Sequence, residues 1–162
     1  MNRLSILGIG PKIATFLLPW LLISIVLTRT IKNIFGYTCE NANVLLIPGT
    51  LLMVGGLIFY IASAIILLKG LKETRLMTKG PYSICQNPLY ASLIMVIIPA
   101  LSLILNSWLV LTCSPVGYIL FKLFIKDEYI ELEKFFGEDY LKYKRETPEF
   151  FPLPYRNQTK KI

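Results

Sequence analysis

Two clusters in this chain have residue types and spacing that could do chemistry. The first is Leu76-Met77-Thr78-Lys79-Gly80-Pro81-Tyr82, followed by Gln86-Asn87-Pro88-Leu89-Tyr90. Asn is a good helix N-cap, and Pro suits the first helical position while disfavouring helix at the residue before it. Asn87-Pro88 therefore predicts a helix start, and a helix start alone would explain the pair. The same geometry has a chemical use, because orphan N–H groups and a positive dipole end suit a carboxylate or phosphate. The second cluster is Asp127-Glu128. Eight acids lie from Asp127 onward, so any one carboxylate there is by default solvated surface. Glu128 stands apart by position, directly beyond a hydrophobic run, where a carboxylate can bind a ligand ammonium or sulfonium. Glu128, Leu132 and Phe135 fall on one helical face at steps of four and three, whereas Glu131 and Glu133 read as a solvated face.

The inventory excludes other chemistry. The chain has no histidine, so a Ser-His-Asp triad, a Cys-His pair and a histidine metal site are excluded. Cys39, Cys85 and Cys113 are an odd number without CxxC spacing, which indicates neither zinc nor a disulfide framework. No metal is expected.

The elements that must position these clusters belong to a membrane protein. Hydrophobic residues make up 54% of the 162, charged residues 17%, and mean hydropathy is +0.58. Charge is absent from residues 80–121, a run of 42, and from 41–68, a run of 28. A bilayer span needs roughly 20 apolar residues. Four spans are predicted, at about 13–28, 44–68, 88–105 and 108–125, within a single domain of residues 1–162. Asn106-Ser107 is the turn between the last two, and Pro99 and Pro115 are expected to kink them. Lys69, Lys72, Arg75 and Lys79 place one loop in the cytoplasm by the positive-inside bias. Both termini are then cytoplasmic, and the short loops favour a prokaryotic inner membrane over the endoplasmic reticulum. The net charge of +7 suits anionic lipid headgroups, and no nucleic-acid partner is expected.

From Lys126 onward the sequence is charged but keeps Tyr129, Leu132, Phe136, Tyr140 and Tyr143 at helical spacing. This predicts an amphipathic helix interrupted at Gly137, whose plainest reading is an interfacial helix lying on the membrane. Together with the first cluster it carries a family resemblance. LMTKGPYSICQNPLY resembles the pattern L-V-x-x-G-x-Y-x-x-x-R-H-P-x-Y. EYIELEKFFGEDYLKYKRETPEFFP resembles E-E-x-x-L-x-x-x-F-G-x-x-Y-x-x-Y-x-x-x-x-P-x-x-x-P. These are the signatures of the isoprenylcysteine carboxyl methyltransferase family and its phospholipid-methyltransferase relatives, and the resemblance covers about residues 55–152.

The resemblance implies an all-α integral membrane enzyme that transfers a methyl group from S-adenosylmethionine to a lipophilic or lipidated substrate entering sideways from the bilayer. It implies cofactor contacts at Thr74, Arg75, Leu76 and Met77, at Tyr82, at Asn87, Pro88, Leu89 and Tyr90, and at Glu128, within a cytoplasmic cofactor-binding segment that includes residues 126–162. The chain departs from the pattern at Gln86 (arginine in the family), Asn87 (histidine in many members) and Tyr129 (the second glutamate). At Phe124 the carboxyl-methylating branch has an arginine, and Lys122 and Lys126 are the nearest cations. Methyl transfer from a sulfonium is a direct displacement. An acceptor that arrives as a carboxylate needs no general base, so carboxylate O-methylation is favoured, with in-line positioning in a water-poor pocket as the source of rate. Tyr82 and Tyr90 could face the sulfonium through cation–π attraction, about 0.5–2 kcal/mol each. Two other readings stay open: an NADPH-dependent membrane lipid reductase of similar fold, and a non-catalytic member motivated by Gln86 and Tyr129.

Overall fold

The computed structural model describes residues 8–37 and 42–150. Cys39 and Glu40 of the first loop, and the second signature's final residues with Pro152, lie outside the described residues. Within them the regular secondary structure is all helical. Its one pairing of extended backbone is an isolated antiparallel bridge between Gly36 and Ser107.

Helix α1 (Gly10–Thr30) is followed by a short turn of helix α2 (Lys32–Phe35) and by α3 (Ala42–Glu73). A short α4 (Pro81–Ile84) precedes a composite helix made of α5 (Pro88–Ser92), a π turn at Leu93–Ile97 and α6 (Ile98–Ile104). The chain then returns through α7 (Trp108–Leu111) and α8 (Cys113–Phe136) and ends its described part in α9 (Glu138–Glu146). Three helical stretches are long and apolar enough to cross a membrane: Gly10–Thr30, Val44–Glu73 and Trp108–Phe136. The remaining expected span, the third in chain order, is the shorter apolar helix Pro88–Ile104, about 26 Å long at ~1.5 Å per residue. Phe16, Leu22, Val26, Ile47, Leu51, Ile58, Ile65 and Leu123 are all at least half exposed, an apolar outer surface that lipid solvates and water does not. The protein is an all-α integral membrane protein.

Two boundaries differ from expectation. Helix α3 continues through Lys69–Glu73 instead of ending at Leu68, and α8 continues without a break from Ile125 to Phe136. Long helices cost nothing outside the apolar layer, and Lys side chains reach the headgroups from there. Glu128 is therefore carried on a rigid extension of the last span. The expected break at Gly137 is present, with φ +53°, which suits glycine. The prolines act locally. Pro99 has no N–H for the carbonyl of Met95, and the helix widens into the π turn just before it. Pro115 has none for Leu111, and α7 stops at Leu111.

The turn at Asn106 has φ +51°, a conformation Asn tolerates. Ser107 is fully buried and its Oγ accepts from the Val110 N–H at 3.2 Å, capping α7. The same hydroxyl lies 2.6 Å from Thr28 Oγ1, and Ser102 Oγ bonds both Ser107 O and Tyr37 Oη. The hydroxyls of Thr28, Tyr37, Ser102 and Ser107 are all bonded in this knot, which fixes α1 to the hairpin at the end remote from Glu128.

Small residues set the helix spacing. α3 lies against the composite third helix and α1 against α7 and α8. A Cβ at Gly49 would stand 3.0 Å from Leu103 and Ile104, and one at Gly56 would stand 3.0 Å from Val96 and Ile97. Close backbone approach of this kind is how membrane helices gain packing energy without a hydrophobic driving force. Gly55, next in sequence, has no neighbouring side chain within 4 Å and is exposed. Gly56→Leu should therefore destabilise the protein by about 1–3 kcal/mol, while Gly55→Leu should be near neutral. Thermal unfolding in detergent checks the pair, and equal effects would refute the packing role of Gly56.

Candidate active site

The start of the third helix, the extension of α8 and the hairpin formed with α9 converge on one cavity of about 720 Å³. Its volume falls in the usual range for small-molecule sites, roughly 300–1,000 Å³. One end is polar and the other apolar. The polar end has Tyr82, Asn87, Tyr90, Glu128, Tyr129 and Tyr140, and the apolar end runs inward past Leu17, Leu21, Leu67, Leu93 and Ile98. Leu18 of α1 (56% exposed) and Tyr60 of α3 (37% exposed) also line it. The cavity thus reaches the lipid-facing surface between α1 and α3.

Of the residues singled out by sequence, Arg75, Leu76, Met77, Tyr82, Asn87, Leu89, Tyr90 and Glu128 line this cavity. Thr74 and Pro88 do not. Thr74 has φ +54° and faces a separate open groove with Lys142 and Glu146, and Pro88 is packed out of reach at the first position of α5. Phe135 is exposed and Phe136 takes its place on the cavity wall. The stripe Tyr129, Leu132, Phe136, Tyr140 and Tyr143 lines the cavity with all five members, so its apolar face turns inward.

Glu128 is the carboxylate at the polar end. Burial pushes its pKa up, the Ile9 backbone N–H bonded at 3.3 Å to its Oε2 pulls it down, and Glu131 adds to the rise. Its other oxygen accepts no hydrogen bond among the described residues. This is a carboxylate with one oxygen anchored, held in partial burial at some cost, and with no ion pair among the described residues. A bound ammonium would relieve that cost.

Asn87 is 7% exposed and does not cap α5 with its side chain, correcting the sequence expectation. Its Nδ2 donates instead to Tyr129 Oη at 2.6 Å and to Glu149 O at 3.1 Å. Tyr129 Oη donates to Glu149 Oε1 at 3.0 Å, and Lys122 Nζ meets Glu149 Oε2 at 2.6 Å. Two departures from the family pattern, Asn87 and Tyr129, are therefore bonded to each other. Gln86, the third, donates from Nε2 to Lys144 O and Thr147 O, while its backbone N–H bonds Pro148 O. Phe150 packs on Phe121, with ring centres 4.8 Å apart. Residues 147–150 are thus strapped across the start of the third helix.

Cys85 is buried, which pushes its thiol up to about 11 and keeps it from acting as a thiolate nucleophile. Tyr82 and Tyr143 are likewise raised by burial, and Tyr143 Oη donates to Tyr82 O at 2.6 Å. Among the described residues no cluster of three or more His, Cys, Asp or Glu could hold a metal.

Sequence reasoning missed the N-terminus, which carries no motif. Gly8, Ile9, Lys12 and Leu17 all line the cavity. Gly8 has φ +48°, and a Cβ there would stand 2.8 Å from Glu128 Oε2 and 3.3 Å from Tyr90 Oη.

An all-α membrane domain with an amphiphilic cavity at the end of its spans defines the class. The model of the family described as phospholipid methyltransferase matches residues 44–139, more than half of the chain. The protein belongs to that membrane methyltransferase family. No curated protein and no solved structure matches it.

Gly8→Ala should displace the Glu128 carboxylate and lower stability by about 1–2 kcal/mol through the left-handed backbone alone. A double-mutant cycle with Glu128→Ala should show coupling between the two sites, because the clash is with the carboxylate. Strictly additive unfolding free energies would show that Gly8 does not touch Glu128.

Proposed function

We propose that the protein transfers a methyl group from S-adenosylmethionine to a lipophilic acceptor drawn from the bilayer. The observation that carries this is the single cavity with a Glu128-lined polar end and an apolar end open between α1 and α3. A methyl donor with an α-ammonium suits the free oxygen of Glu128, and Tyr82 and Tyr90 supply electron-rich faces for the sulfonium. An acceptor with a hydrocarbon tail suits the leucine- and isoleucine-lined end.

A carboxylate is the acceptor we favour. The chain has no histidine to act as base, and an ionised carboxylate needs none. The nucleophile's lone pair attacks the methyl carbon as the carbon–sulfur bond breaks, and the sulfonium leaves as a neutral thioether. Lys122 is engaged by Glu149, and among the described residues the cations that line the cavity are Lys12 and Arg75, the latter 3.9 Å from Glu73 with both side chains exposed. Lys12 pairs only loosely with Asp127, at 3.8 Å with both side chains exposed. The chain's contribution to rate is to hold nucleophile and methyl group in line away from water.

Calorimetric titration of detergent-purified protein with S-adenosylhomocysteine tests the cofactor, with NADPH as the competing ligand. Glu128→Gln should weaken S-adenosylhomocysteine binding by roughly 10- to 150-fold, as expected for a charge-assisted hydrogen bond of ~1.5–3 kcal/mol. Exposed Glu133→Gln should be near neutral. Binding requires the ionised carboxylate, so affinity should fall as pH drops through the raised pKa of Glu128, and Glu128→Gln should flatten that dependence. Equal loss at Glu128 and Glu133 would reduce the effect to bulk charge. A tritiated-methyl transfer assay on lipid extracts identifies the acceptor.

The proposed orientation puts the cavity's polar end and both termini in the cytoplasm. Lys32 and Lys72 are exposed at opposite ends of the bundle. In a cysteine-free background, an impermeant thiol reagent applied to intact cells should label Lys32→Cys and spare Lys72→Cys. The reverse pattern would invert the topology.

A further inference from the structure

We propose that Gly8 and Ile9 are positioning residues for the proposed cofactor. The Ile9 N–H holds one oxygen of Glu128, the bare Gly8 lets the carboxylate lie against the backbone, and the other oxygen is thereby presented to the cofactor's α-ammonium. The inference rests on the proposed cofactor and adds a support from the start of α1 that none of the signature residues supplies.

The Ile9 N–H donates to Glu128 Oε2 at 3.3 Å, across 119 residues of sequence. Gly8 has φ +48°, and a Cβ there would stand 2.8 Å from the same oxygen and 3.3 Å from the carboxyl carbon. The first distance is closer than a Cβ tolerates, so glycine alone leaves the carboxylate its place. The N–H cannot drift, because the Ile9 side chain is buried in the core with Ile13, Phe121 and Ile125. Ile125 lies about one turn before Glu128 on α8, so the same packing sets the distance from donor to carboxylate. Ile9 also caps α1, whose first intrahelical bond runs from the Ile13 N–H to Ile9 O at 3.1 Å. The first turn of α1 carries no acid of its own, so the carboxylate at its positive end comes from α8.

Two consequences follow for a ligand ammonium. A free glutamate side chain loses rotamer entropy when it binds, whereas here folding has already fixed it. The bond also favours the ionised form, since burial raises the Glu128 pKa and the Ile9 N–H lowers it. The other charged or titratable groups around it are Lys12 on α1, Arg75 after α3, Asp127 and Glu131 on α8, and the phenols of Tyr82, Tyr90 and Tyr140 from α4, α5 and α9. Substitution at Gly8 removes none of these, so a shifted pH profile there reports the displaced carboxylate.

The test is calorimetric titration of the detergent-purified full chain with S-adenosylhomocysteine across a pH series. Gly8→Ala should weaken binding by about 3- to 12-fold at neutral pH. It should also move the acid-side fall in affinity to higher pH, because the bond that favoured the ionised carboxylate is lost. Gly8→Asn should do the same with less loss of stability, since Asn tolerates a left-handed backbone. Gly10→Ala, whose Cβ would stand at an ordinary 3.9 Å from Tyr90 Oη, should bind as the parent does. In a Glu128→Gln background the Gly8 substitutions should cost no further affinity, whereas a general distortion of the cavity would cost the same in both backgrounds. That equal cost, or parent affinity and pH profile in a folded Gly8→Asn, overturns the positioning role and leaves the cofactor standing. Should neither Gly8 variant fold, hydrogen exchange at the Ile9 amide decides. It should be faster in Glu128→Ala than in the parent, and equal rates overturn the role. A parent that does not bind S-adenosylhomocysteine overturns the proposed cofactor and the positioning role with it.

Discussion

In hydrocarbon there is no water to satisfy a backbone N–H or C=O, and the rest of this structure follows from that constraint. It makes every segment at membrane depth a helix. Irregular backbone is pushed to the ends: the loop before Pro81, the turn at Asn106 and the break at Gly137. At Pro99, where proline removes a donor, the helix widens into a π turn, whereas Pro19 and Pro48 sit inside continuous α-helix. Polar side chains obey the same rule. Thr28, Ser102 and Ser107 are buried and bonded to one another or to backbone. Conformational variety, and with it a binding site, is available only where the helices leave the apolar layer.

At that boundary the site is assembled from groups distant in sequence. Ile9 bonds Glu128 across 119 residues, and Asn87, Tyr129, Glu149 and Lys122 form one chain of hydrogen bonds across three segments. Single departures from the family pattern read individually as losses. In three dimensions the asparagine and tyrosine satisfy each other, and the glutamine holds the end of α9. A buried polar network rigidifies its surroundings, and here the bonds of Asn87, Tyr129, Glu149 and Gln86 Nε2 lock the strap at residues 147–150 over the start of the third helix.

The unpaired groups are as informative as the paired ones. Glu128 is held with one oxygen anchored and a pKa raised by burial, and Tyr140 Oη and Gln86 Oε1 are buried without partners among the described residues. Each costs stability, and all three residues belong to the wall of the same cavity. Such an arrangement is expected where ligand binding, not folding, completes the set of interactions.

Composition and charge placement were enough to make this an all-α membrane protein, because a bilayer admits few alternatives for an apolar run of about 20 residues. Local rules also located the turn at Asn106-Ser107, the break at Gly137 and the helix start at Pro88, since each depends on one or two residues' backbone preferences. The family resemblance picked out eight of the cavity's lining residues, and the tyrosine stripe after Lys126 was visible as a period. Its direction was not. Whether that stripe lay on the membrane or turned onto a cavity depended on where α8 and α9 pack, which no local pattern encodes. The same holds for Gly8, Ile9 and Lys12, which carry no motif and gain their place only because α1 packs along α8. Asn87 shows the limit most clearly. Its type suited a helix cap, but the cap's backbone donors lost to a tyrosine and a carbonyl brought in from 42 and 62 residues away. Side-chain hydrogen bonds are decided by which partners the fold delivers, and that delivery belongs to tertiary structure alone.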